Sequence, residues 1–151
     1  VPFGRGGSPL QNLIVRGHTR TVVSALKMNE GIDSGPVYLK CELDLTGSAL
    51  DIFQRTAPVC FEMMHKIQME EMTPIEQEGE PKIFKRRTSA ESRIPEALPI
   101  EKLYDFVRML DAPNYPKAFF SYGDFQIEMF NARINNDETL SADVKVTKHV
   151  K

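Results

Sequence analysis

From Val37 to Leu45 the chain alternates strictly. Val37, Leu39, Cys41, Leu43 and Leu45 fall on one face, and Tyr38, Lys40, Glu42 and Asp44 on the other. A period of two predicts a half-exposed β-strand with one dry face. Just before it, Thr21–Met28 is apolar and rich in β-branched residues, which predicts a second strand, buried and parallel. Asn29–Pro36, with Gly31 and Gly35, reads as the turn between them.

Around this pair the punctuation is dense. Residues 1–8 form a glycine-rich loop, and Ser8 is then placed to cap a helix. Pro9 stands at the first helical position, Gln11 completes a capping box, and Gly17 marks the stop. Ser48 with Asp51 predicts a second capped start, and the helix runs to about Met69 with a kink at Pro58. Its expected inner stripe is Leu50, Phe53, Ala57, Phe61, Met64 and Gln68. The methionines at 63, 64, 69 and 72 are expected to be core packing. Residues 73–99 are polar and proline-containing, as in a surface linker. Within them Lys82–Arg87 is a short basic strand. A third helix is predicted over roughly Ile100–Leu110, with Leu103, Phe106, Val107 and Leu110 inward. Strands follow over 117–122, 125–134 and 142–147.

A chain of 151 residues holds one compact domain with a small appendage at most. Net charge is -2, which lacks the basic surplus usual in proteins that grip nucleic-acid backbones. Cys41 and Cys60 suggest no disulfide framework and fit a reducing cytoplasm. There is no apolar run long enough for a membrane span. The opening Val1, without methionine or a preceding element, leads to the expectation that the protein begins upstream.

Two stretches carry a family resemblance. Val1-Pro-Phe-Gly-Arg-Gly-Gly-Ser-Pro-Leu-Gln is similar to a Leu-Pro-x-x-Arg-Gly-x-x-Pro loop. Ser24-Ala-Leu-Lys-Met-Asn-Glu-Gly-Ile-Asp-Ser-Gly-Pro-Val is similar to a strand and turn ending in Leu-Asp-x-Gly. Weaker matches are Phe84-Lys-Arg-Arg with Ser92-Arg-Ile, and Val107-Arg-Met-Leu-Asp with Tyr115-Pro-Lys-Ala-Phe. Together and in this order they resemble the folate-dependent formyltransferases. The resemblance implies an α/β fold: the C-terminal part of a Rossmann-like catalytic domain over residues 1–72, a linker over 73–99, and a helix plus small β appendage over 100–151. It implies N10-formyltetrahydrofolate as co-substrate and an Asn, His and Asp triad. By motif position Asp33 is the Asp. The His belongs just before Val1 and the Asn two residues before that. His18, His65 and His149 do not stand at the motif position.

That chemistry explains the residue types. A primary amine attacks the formyl carbon on N10, an oxyanion forms, and donors such as an Asn amide and a His N–H stabilise it. The amine must also shed a proton, which a carboxylate-supported His or water accepts. In open α/β sheets ligands bind off the carboxyl ends of strands. Glu30, Gly31 and Ile32, beside Asp33, are then the local candidates for folate contact. Pro2, Arg5, Gly6, Pro9, Tyr115 and Phe119 are the candidates for the acceptor channel. No metal site is suggested.

Each feature also has a plainer reading. Asp33-Ser-Gly-Pro alone is an ordinary turn, and Arg5 a surface charge. Gly6 and Gly7 allow a tight backbone path rather than a phosphate loop, whose Lys is missing. Lys85-Arg86-Arg87 is a solvated segment or a phosphate contact. About 40 residues follow Leu110, short of an ordinary five-stranded barrel. Residues 112–151 carry five Lys/Arg against five Asp/Glu. This neutral tail favours a small acceptor, a sugar nucleotide, over initiator methionyl-tRNA. A formyltetrahydrofolate hydrolase, a silent folate-binding domain and a homodimer remain open.

Overall fold

The computed structural model describes residues 1–136 and 138–148; His149 lies outside them. The elements run β1 (Phe3–Gly6), α1 (Pro9–Val15), β2 (Arg20–Leu26), β3 (Val37–Asp44), α2 (Ala49–Met69), β4 (Lys82–Phe84), α3 (Ile100–Arg108), β5 (Ala118–Tyr122), β6 (Phe125–Asn136) and β7 (Thr139–Lys148). A 3-10 turn at Ser89–Ser92 precedes α3.

These form three small sheets in a mixed α/β arrangement. β1 pairs in parallel with β4, β2 pairs antiparallel with β3, and β5-β6-β7 is an antiparallel meander. Among the described residues no continuous parallel sheet of the Rossmann type is present. The expected buried, parallel course of β2 is corrected, for none of its residues is fully buried and it runs antiparallel to β3. Its register with β3 runs from Arg20 opposite Asp44 to Leu26 opposite Val37. The loop between them is too short for a parallel crossover. It folds back as a hairpin that Lys27 N–H closes on the Pro36 carbonyl at 2.8 Å.

The dry face of β3 seeds the core. Leu43 and Leu45 pack with Leu13 and Ile14 of α1, Ile52 of α2, Phe84 of β4, Phe106 and Val107 of α3, then Met109, Leu110 and Ala118. Six elements thus share one apolar cluster, and burying each large side chain contributes about 1.5–3 kcal/mol.

Two helix starts behave differently. At α2 the capping box forms as the sequence predicts: Ser48 Oγ accepts from Asp51 N–H, and Asp51 accepts from Ser48 N–H at 2.8 Å. At α1 Pro9 holds the first turn, but Ser8 has φ 49° and makes no side-chain cap. Its hydroxyl instead accepts the Arg87 N–H at 3.1 Å, and Gln11 is buried. A tertiary contact replaces the expected local box.

The expected inner stripe of α2 is also corrected. Ala49, Ile52 and Met63 are the buried residues, while Leu50, Phe53, Ala57, Phe61, Met64 and Gln68 are exposed; of the methionines expected in the core, Met63 is buried and Met64 and Met69 are exposed. The helix continues through Pro58. α3 matches its expected inward face, with Phe106, Val107 and Leu110 buried and Leu103 packed against them. Arg108 is buried as well, a cation on an otherwise apolar face. It pairs with Asp105 at 2.8 Å and donates to the Leu45 and Gly47 carbonyls at 2.5 and 2.9 Å.

The stretch 73–84 is stitched to the rest by backbone pairing. Ile75 and Val37 exchange both hydrogen bonds, at 2.7 and 2.9 Å, and Lys82 N–H reaches the Pro2 carbonyl at 3.2 Å.

Candidate active site

Asp33 stands in the β2–β3 turn with φ 50°, a left-handed conformation that an L residue adopts at a cost. Asn29 organises the turn: its Oδ1 accepts from Gly31 N–H at 3.2 Å and Ser34 Oγ at 2.9 Å. Gly35 allows the tight closure, because a Cβ there would lie 1.7 Å from the Lys27 carbonyl oxygen. The result is an exposed carboxylate on a fixed backbone.

The opening loop meets that carboxylate. Gly6 N–H donates to Asp33 Oδ2 at 2.8 Å. Gly6 has φ 100°, and a Cβ on it would sit 2.6 Å from the Phe84 carbonyl oxygen, so β1 lies hard against β4 here. The two stretches that carry the family resemblance are therefore brought together in space.

Asp33 lies on the rim shared by two clefts. One, of about 580 Å³, is lined by Val1–Gly4, Pro9, Leu13, Thr21, Val22 and neighbours on β2 and β3. The other, of about 440 Å³, runs along residues 26–35 and includes Glu30, Gly31 and Ile32, all exposed. Ser24 lines both. Its Oγ is buried and without a hydrogen-bond partner among the described residues. Exposed turn backbone and a carboxylate around one opening suit a ligand with a polar heterocyclic edge.

Of the expected acceptor-channel residues, Pro2 and Pro9 line the larger cleft with Asp33. Arg5 turns to Gln77, donating from Nε at 3.1 Å and Nη2 at 2.8 Å. Tyr115 packs on Phe53, with ring centroids 5.7 Å apart, and lines a third cleft of about 550 Å³ with Gly6, Pro9 and Arg86. Phe119 is placed elsewhere. It is half-buried on β5 opposite Glu128, its carbonyl accepts Ile94 N–H at 2.7 Å, and it lines none of these three clefts. Alternation along β5 turned it away.

In the basic segment, Lys85 and Arg86 are exposed. Arg87 is committed to structure, donating to the Glu91 carbonyl at 2.6 Å and lying 5.7 Å from the centre of the Phe106 ring. His18 and His65 are exposed, and Cys41 and Cys60 are free and half-buried. Among the described residues no cluster of His, Cys, Asp and Glu is arranged to hold a metal ion, and no helix is long and apolar enough to cross a membrane.

Sequence reasoning missed Gln77 and Ser24. Gln77 sits in what read as a linker, and its contacts are long-range. Ser24 is one polar residue in an apolar strand, and that break in the pattern is its sequence signal.

Comparison with known proteins places the sequence and the fold in a family. Residues 89–147 match the family model for the C-terminal domain of methionyl-tRNA formyltransferase. The methionyl-tRNA formyltransferase of Rhizobium rhizogenes is 28% identical over 127 residues, covering 80% of this chain and 40% of that protein. The chain thus spans about two fifths of the length of the curated relatives it matches. The solved methionyl-tRNA formyltransferase from Clostridium thermocellum superposes with a TM-score of 0.95 at 42% identity, covering 99% of this chain and 66% of that one. At 11% identity, where only fold is compared, the N-formyltransferase from Helicobacter canadensis, solved with folinic acid and dTDP-3-aminofucose, gives a TM-score of 0.61 over 85% of this chain and 58% of that one. Loop, turn, family model and superposition converge, and the chain belongs to the formyltransferase family that includes the methionyl-tRNA and sugar N-formyltransferases.

Proposed function

We propose that this chain supplies the acting carboxylate and two cleft walls of an enzyme that moves a formyl group from N10-formyltetrahydrofolate to the amine of methionyl-tRNA. One observation carries the reading: the Asp33 carboxylate, held by Gly6 N–H at 2.8 Å, on the shared rim of two clefts.

When bound, the folate supplies an activated formyl carbon, and the transfer breaks its bond to N10. The remaining work belongs to protein groups. Glu30–Ile32 would hold the folate's polar edge. Asp33 would accept a hydrogen bond from the group that takes the amine proton, keeping that group basic, and the proton finishes on N10. Such acid–base help is typically worth about 10²–10⁴-fold. The Asn and His donors of the family pattern would come from the rest of the complete protein.

The neutral tail favours a sugar nucleotide as acceptor, and the relatives point the other way. Those named for methionyl-tRNA share 28% and 42% identity with this chain, whereas solved N-formyltransferases of the sugar type share 11% to 19%. The tail's charge is a weak guide, because exposed Lys85 and Arg86 stand outside it, beside the cleft that Gly6 and Tyr115 line.

The test supplies the complete protein with N10-formyltetrahydrofolate and follows tetrahydrofolate release. Release that depends on methionyl-tRNA is expected. Release only with amino-sugar nucleotides would reverse the acceptor, and release with no acceptor would indicate a hydrolase.

A further inference from the structure

Gln77 lies between α2 and β4, yet its side chain spends its hydrogen-bonding capacity on the site. Nε2 donates to the carbonyls of Asp33 and Gly35 at 2.9 and 2.7 Å. Oε1 accepts both N–H groups that Arg5 extends to it. Register explains how a half-buried residue of this stretch arrives there. Ile75 pairs antiparallel with Val37, so position 77 falls beside position 35.

One amide therefore joins the turn that carries the carboxylate to the loop that grips it. Arg5 is held by Gln77, the next residue Gly6 holds the carboxylate, and Gln77 holds the carbonyl of Asp33 itself. Asp33 is in a left-handed conformation, which persists only where neighbours over-determine it. A donor on its own carbonyl fixes that peptide plane. Few side chains can serve both ends. Glutamate would accept from Arg5 but could not donate to two carbonyls, leucine would do neither, and asparagine is one methylene short.

We propose that Gln77 is a positioning residue, which aims the Asp33 carboxylate and locks the Arg5–Gly6 loop against it. The proposal rests on the reading that Asp33 is the acting carboxylate.

The test measures kcat and KM of the complete protein for N10-formyltetrahydrofolate with methionyl-tRNA. It compares wild type with Gln77→Leu, Gln77→Glu, Asp33→Asn and the Gln77→Leu/Asp33→Asn double variant. Gln77→Leu is expected to lower kcat about tenfold to a hundredfold, the scale of a slight misalignment, with KM changed less than about threefold. In the Asp33→Asn background the same change should cost less than about twofold, since no carboxylate remains to be aimed. Gln77→Glu should also lose kcat, because a carboxylate offers no donor to the two carbonyls. In nitrogen-15 spectra the Arg5 Nε–H, protected in the wild type, should exchange freely in Gln77→Leu. Wild-type kcat in Gln77→Leu, with Asp33→Asn inactive, would overturn the proposal alone. An undiminished Gln77→Leu effect in the Asp33→Asn background would do the same. A fully active Asp33→Asn would instead overturn the reading beneath it.

Discussion

Gly6 and Asp33, 27 residues apart, are joined by a hydrogen bond of 2.8 Å from backbone N–H to carboxylate oxygen. The loop and the turn therefore form one unit, and its geometry depends on how closely β1 approaches β4.

That dependence predicts the effect of a single methyl group. Gly6→Ala puts a Cβ 2.6 Å from the Phe84 carbonyl oxygen at a φ of 100°. Strain of this kind costs roughly 1–3 kcal/mol. The variant should melt several degrees lower and lose at least about tenfold in turnover as the N–H leaves Asp33. Thermal melting and a turnover assay on the same preparation check both.

Arg108 predicts a stability effect without a chemical one. Its guanidinium is buried against Asp105 and two carbonyls that tie α3 to the end of β3. Arg108→Ala strands all three, and breaking a buried pair costs about 3–5 kcal/mol. Urea denaturation should show that loss, while turnover per folded molecule stays near wild type.

The helix cap predicts a pH dependence. The Ser48 hydroxyl, then its backbone N–H, hold the Asp51 carboxyl below its ordinary value; Thr46 does this for Asp44 and Thr88 for Glu91. A folded-state value below the unfolded one stabilises above the ordinary carboxylate range, and that stability is lost as pH falls through the folded value. Asp51→Ala should cost roughly 0.3–1 kcal/mol at neutral pH, the scale of a carboxylate in a helix's first turn. The gap to wild type should close once acid has protonated Asp51. Denaturation midpoints at neutral and acid pH decide it.

Much of this was legible in the residues. Alternation gave β3 and its buried Leu43 and Leu45, and the Ser48–Asp51 spacing gave the cap of α2. The motif pair picked out Asp33 and Gly6, which the fold brings into contact. What escaped was decided by partners far away in the chain. Ser8 had a local box available but bonds to Arg87 instead. The apolar row of Phe53, Phe61 and Met64 has helical spacing, yet this row faces outward and Ile52 and Met63 face the core. Periodicity names a face without saying which neighbour covers it. Gln77 looked like linker, because nothing local shows that Ile75 pairs with Val37.

The central claim is that Asp33 acts on the formyl transfer, and the most direct measurement is turnover of Asp33→Asn in the complete protein. The change is nearly isosteric and Asp33 is exposed, so the melting temperature should stay close to wild type. With N10-formyltetrahydrofolate and methionyl-tRNA, turnover should fall at least about a hundredfold. An Asp33→Asn protein that melts normally and turns over at the wild-type rate would contradict the account.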